Sequence, residues 1–175
     1  MMRYQRNNEI SKALEIYRKY KQAGGHFPVN VEQIAQEHNI IVKPVNLPDE
    51  ISGVLDNSTG QYIILVNSNQ SQVRQRFSIA HELGHYFLHS SDASKKQIHI
   101  DKIRYYRNGK SSLGTDDKEI EANKFASELL IPADELRAIL SGGKYDIYDD
   151  EDIRRLAGHF NVSAAALTVK IDKLA

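Results

Sequence analysis

The sequence predicts an α+β fold in which a small antiparallel or mixed sheet packs against helices, with further helices at the C-terminus. Three observations carry this. Short β-branched runs cluster between Ile40 and Asn67, with turn-forming residues between them. Apolar residues then recur at helical spacing from Ser71 to His89, and again from Asp116 to Leu130.

Taken in order, Asn8 to Gln22 spaces Ile10, Leu14, Tyr17 and Tyr20 or Lys21 as an amphipathic helix, which Gly24-Gly25 stops. Pro28 to Asn39 reads as a second helix, with Asn30 as N-cap and Val31, Ile34, Ala35 and His38 on one face. Ile40 to Pro44 is a first strand, ended by proline, and Gly53-Val54-Leu55 and Gln61 to Asn67 are two more. The turn composition of Asp56 to Gly60 makes the latter two a hairpin. Ser71 to His89 carries the stripe Val73, Phe77, Ile79, Leu83, Tyr86 and Phe87. Ser91 to Thr115 is polar and irregular apart from a strand-like Ile98-His99-Ile100. Asp116 to Leu130 is helical until Pro132. Glu151 to Phe160 and Ser163 to Leu174 are two short helices joined at Asn161-Val162, with Ser163 as N-cap. The chain divides into an N-terminal helix, residues 1–25, and a domain of residues 26–175.

Composition narrows the function. The chain has 175 residues, 41% hydrophobic and 26% charged, the balance of one globular domain and not of a disordered chain. Lys+Arg and Asp+Glu both total 23, so bulk electrostatic attraction to nucleic acid is not expected. Cysteine is absent, which excludes disulfides, thiolate metal sites and a cysteine nucleophile. No signal-peptide core and no apolar run of membrane-spanning length is present, so a cytoplasmic protein without membrane contact is expected.

The chemistry concentrates in His81-Glu82-Leu83-Gly84-His85. On a helix, His81 and His85 lie one above the other at i and i+4, and both imidazoles can reach one metal ion. Glu82 projects about 100° around the helix from His81, beside such a metal and not on it. Imidazole donors without thiols point to Zn²⁺. Zinc lowers the pKa of a bound water to about 7, and Glu82 is then the general base that takes its proton and returns it to a leaving amine. Gly84 costs about 1 kcal/mol relative to alanine within a helix, which calls for a close approach of another backbone or of substrate.

A catalytic zinc needs a third protein ligand. His89 lies one more turn along the same helix, and three donors in a row cannot surround one ion, so His89 reads as a support or packing residue. The later histidine of the metzincin pattern is missing, and His26, His38, His99 and His159 stand in unrelated contexts, with no ligand expected among them. Glu119 and Asn123 share a helix face at i and i+4, continued by Ala126 and Leu130. They offer a carboxylate for the metal and an amide able to orient a ligating histidine. Glu121, on another face beside Phe125, is the less favoured third ligand and otherwise a solvated helix charge.

Arg76 to Tyr86, followed by Glu119 to Pro132, resembles the ImmA/IrrE family of zinc-dependent metallopeptidases, and the likeness extends over about residues 28 to 170. The resemblance implies a gluzincin-like arrangement, in which the sheet packs against an HExxH helix and a glutamate-bearing helix. It implies His81, His85 and Glu119 as zinc ligands, Glu82 as base and Asn123 as the support of His81. It further implies a bacterial or mobile-element regulator that cleaves a transcriptional repressor or anti-repressor. The alternative is a non-proteolytic, zinc-containing regulator that binds a repressor or DNA; a zinc hydrolase of small amides is a third possibility. A separate helix-turn-helix domain, which some members carry, is not expected in the first 25 residues.

Two features remain. Ile98 to Arg107 reads as a polar loop cover, with strand addition to an extended peptide as its alternative. Ser91 to Thr115, between the two metal motifs, is placed to restrict the site to a fitting partner, so weak cleavage of generic unfolded proteins is expected. The C-terminal pair Ile153 to Leu167 has half the form of a helix-turn-helix, but few cations on its second helix (Lys170, Lys173), so it reads as structural and direct contact with nucleic acid is not expected.

Overall fold

The computed structural model describes residues 8–90, 98–102 and 113–174. Its elements are α1 (Asn8–Gln22), α2 (Val31–Glu37), β1 (Ile41–Val45), β2 (Ile51–Asp56), β3 (Ile63–Asn67), α3 (Gln72–His89), β4 (Ile98–Lys102), α4 (Leu113–Leu130), α5 (Ala133–Ser141), α6 (Asp150–Phe160) and α7 (Ala164–Asp172). The fold is α+β. The four strands form one mixed sheet in the order β1-β3-β2-β4, with β1 parallel to β3 and the other pairs antiparallel. The hairpin of β2 and β3 forms because Gly60 takes a left-handed φ of 88° that suits glycine, while Asp56 accepts a hydrogen bond from the Ser58 amide at 2.7 Å.

Strand alternation turns Leu55, Ile64 and Val66 toward the helices, where they are buried against Ile79, Ala80 and Leu83 of α3. On its other side α3 packs on α4, whose Phe125, Ala126, Leu129 and Leu130 are buried in the same core. The helix α1 adds Ala13, Ile16, Tyr17 and Tyr20 to that core, so α1 shares it with the helices and sheet that follow. Tyr20 holds the link to α2 by donating to the His26 carbonyl (2.8 Å) and accepting from the Asn30 amide (3.2 Å). Asn30 caps α2, as expected, by accepting from the Gln33 amide.

Arg76 of α3 donates to the carbonyls of Val29 (2.9 Å) and Asn161 (3.3 Å), tying α3 to the α6–α7 turn. Lys170 of α7 forms a buried ion pair with Glu128 of α4, whose other oxygen accepts from the Ala133 amide. The C-terminal helices are thus fixed to the helix that carries Glu119. Pro132 follows the end of α4, as expected, but it also stands at the N-cap position of a further helix, α5, that the sequence does not announce.

Gly84 has a clear structural reason. A Cβ there would stand 3.0 Å from the Ala122 Cα and 3.2 Å from the Ala122 carbonyl oxygen, so glycine lets α3 and α4 touch backbone to backbone. Gly84→Val would force the two helices apart, at a cost of about 3 kcal/mol for overpacking. The expected result is a lower urea midpoint of the metal-free protein, measured by circular dichroism.

Candidate metal centre

The backbone contact at Gly84 and Ala122 sets the distance across which the α3 and α4 side chains meet. His81 and His85 project from α3 with their Nε2 atoms 3.0 Å apart. Glu119 of α4 brings Oε2 to 3.3 Å from His81 Nε2 and Oε1 to 3.4 Å from His85 Nε2. One donor atom from each of the three residues lies within 4.8 Å of the others. His81 and His85 are buried, whereas Glu119 is partly open. Two imidazole nitrogens and one carboxylate, converging without thiols, suit zinc by donor type and leave room for a further ligand.

The expected companions stand beside this cluster. His81 Nδ1 meets Asn123 Oδ1 at 3.2 Å, the geometry in which an amide orients an imidazole. Glu82 is fully buried next to the cluster, and the space for its carboxylate comes from β2: a Cβ on Gly53 would stand 3.1 Å from Glu82 Oε1. Glu121 turns away from the three donors. Expected as a solvated charge or an alternative ligand, it stays 44% exposed and also binds His89 Nε2 at 2.8 Å.

One residue escaped the sequence reading. His99, set aside as unrelated, reaches the centre from β4. Its Nε2 is 2.7 Å from Glu119 Oε1, its Nδ1 is 3.3 Å from Glu82 Oε2, and its ring lies 3.6 Å from that of His85 between centroids. The signal was present in Ile98-His99-Ile100, where alternation turns His99 to the face opposite Ile98 and Ile100. Its neighbours Ile98 and Ile100 are exposed, and His99 pairs across the sheet with inward-facing Leu55. The other histidines do stand apart: His38 packs on Tyr86 and Phe87, and His159 on Phe27 and Phe160.

The centre is strongly polarised in the metal-free chain. Burial pushes His85 down to about 4, against the opposing pull of Glu119, so its imidazole is neutral at pH 7. Burial also opposes charge on His99, but hydrogen bonds to Glu119 and Glu82 outweigh it and raise the group to about 9. Burial disfavours the charged Glu119 too, yet hydrogen bonds from His81, His85 and His99 hold its carboxyl far below the ordinary range. Because the folded-state pKa of His99 lies above its ordinary 6.5, its contribution is complete below pH 6.5 and disappears as pH rises through about 9. The stability difference between the metal-free chain and its His99→Gln variant is therefore expected to shrink from pH 6.5 to above pH 9, read from urea midpoints.

The chain matches the model of the peptidase M78 family, described as the IrrE N-terminal-like domain, over residues 35–172. It belongs to this metallopeptidase family. The ImmA/IrrE resemblance read from the two motifs therefore holds. It is 30% identical over 151 residues to metallopeptidase ImmA of Bacillus subtilis, an alignment covering 85% of this chain and 79% of that one. It is 32% identical over 117 residues to an uncharacterized immunity region protein of Bacillus phage phi105, covering 67% of this chain and 64% of the phage protein. A Mycobacterium tuberculosis transcriptional regulator shares the fold, with a TM-score of 0.60 at 20% identity over 94% of this chain. The chain spans 48% of that longer protein, so this M78 member corresponds to only part of it. No helix among the described residues is long and apolar enough to cross a membrane.

Proposed function

We propose that this M78 chain is a cytoplasmic zinc-dependent endopeptidase that cleaves a regulatory protein of the transcriptional-repressor type. The observation that carries the reading is the convergence of His81, His85 and Glu119 on one point, with the buried Glu82 carboxylate beside it. His81, His85 and Glu119 would hold the zinc, and the zinc when bound supplies Lewis acidity toward the scissile carbonyl. Glu82 takes a proton from the attacking water and delivers it to the departing amine. Asn123 holds the His81 ring in the orientation that turns Nε2 to the centre. A purely structural zinc has no use for a buried carboxylate at Glu82, which favours the enzyme over the non-proteolytic regulator.

A macromolecular substrate is supported by the surroundings. Among the described residues β4 pairs on one side only, with β2, so its other edge can receive an extended peptide beside His99. A cleft of about 780 Å³ runs from Glu119 and Asn123 past Ile10, Leu14 and Phe77 to Lys173. Both features suit a polypeptide more than a small amide. The repressor-type partner is supported by the ImmA/IrrE motifs and by the relative described as an immunity region protein. Most of the polar segment Ser91 to Thr115, expected to restrict access, lies outside the described residues.

Zinc analysis and co-incubation with a candidate repressor, followed by mass spectrometry of the fragments, test the reading. The expected outcome is bound zinc and cleavage at one or a few sites, with casein left largely intact. Bound zinc with an uncut partner would favour the non-proteolytic regulator, and turnover of small amides alone would favour the third reading.

A further inference from the structure

His89 and Glu121 form a connection that the proposed catalytic cycle does not use. His85 and His89 follow one another on α3 at i and i+4, and their Nδ1 atoms are 3.1 Å apart. Nε2 of His89 is 2.8 Å from Glu121 Oε2 on α4. With a metal taking the Nε2 lone pairs of His81 and His85, the proton placement along this chain has a natural solution. The Glu121 carboxylate only accepts, so His89 donates its Nε2–H, which leaves His89 Nδ1 with a lone pair. That lone pair accepts the Nδ1–H of His85, and His85 is left with its lone pair on Nε2, the atom facing His81 and Glu119. No charged imidazole is needed. On the other ligand-bearing turn, His81 donates Nδ1–H to Asn123 Oδ1 and is left in the same tautomer.

We infer that His89 and Glu121 are positioning residues, a two-step relay that fixes the metal-binding tautomer and ring orientation of His85 as Asn123 does for His81. The inference rests on reading His85 as a metal ligand. The α4 segment would then serve the centre three times, with Glu119 on the metal, Asn123 behind His81 and Glu121 behind His85 through His89. His89 is largely buried, with 12% of its side chain exposed, so water is poorly placed to replace it; Glu121 is 44% exposed and its contribution is smaller.

Zinc dissociation constants from chelator competition test the relay, with metal-free melting temperatures read in parallel. His89→Ala is expected to weaken zinc binding by about 10–100-fold. His89→Gln, whose amide oxygen can accept the same Nδ1–H, should recover most of that loss. Glu121→Ala should weaken binding less than His89→Ala and add nothing in the His89→Ala background. In the zinc-loaded protein, long-range proton–nitrogen spectra should show His89 as the Nε2–H tautomer. Wild-type affinity in His89→Ala, an equal effect of Glu121→Ala in both backgrounds, or the Nδ1–H tautomer at His89 would each overturn the relay. A fall in metal-free melting temperature without recovery of affinity in His89→Gln would reduce His89 to packing and overturn it as well. His85→Ala separates the two levels. If it binds zinc like the wild type, or if the wild type binds none, the metal-site reading fails and the relay with it. If it loses zinc while His89→Ala does not, only the relay fails.

Discussion

Glu82→Gln is expected to lower the rate of partner cleavage by about 10³-fold, within the 10²–10⁴ range of general acid–base catalysis, while zinc binding stays within about threefold of wild type. The amide keeps the size of the carboxylate in a pocket that Gly53 opens for it, so folding should not confound the result. What it loses is basicity: a glutamine cannot take the proton of the attacking water. Cleavage fragments quantified by mass spectrometry, with zinc content from the same preparation, provide both readings. Loss of zinc equal to that in His81→Ala would mean that Glu82 is a ligand, and wild-type turnover would remove it from the reaction.

The second large effect is expected at Glu119. Glu119→Ala removes one of three converging donors and should weaken zinc binding by more than the roughly 10–100-fold loss of an outer hydrogen-bond partner. It also removes the carboxylate that His99 binds at 2.7 Å, leaving that side chain with its contacts to Glu82 and to the His85 ring. Glu121→Ala, two positions along the same helix, should lose far less affinity. Chelator competition on both variants decides the matter. Reversed affinities would make Glu121 the third ligand and require α4 to rotate from its observed position.

The ordering of these two glutamates shows where sequence reasoning reaches its limit. The face that Glu119 shares with Asn123 at i and i+4 favours Glu119, and the structure sets that face against His81 and His85. Helical periodicity fixed the relation between the two residues but not what stood opposite them. A solvated charge is the natural reading of Glu121 on an amphipathic helix, and it misses His89 because that contact joins residues 32 positions apart on two different helices. Likewise Pro132 was legible as the end of a helix, while the short helix α5 after it has no long apolar period to announce it.

By itself the sequence determined the α+β class, the hairpin, the positions of the main helices (though not that α4 begins at Leu113, inside the stretch read as irregular) and the placing of His81 and Glu82 on one turn with His85 on the next. These follow from local rules: side-chain alternation in strands, a 3.6-residue helical period, and capping or turn residues at the ends. Only the tertiary structure decided why Gly84 is glycine, which acid meets the histidines, and that His99 and His89 touch the centre. Each of these depends on the approach of distant backbones: α4 against Gly84, β2 behind Glu82 and β4 beside His85. Such distances are set by packing across the whole core, and no local spacing in the chain encodes them.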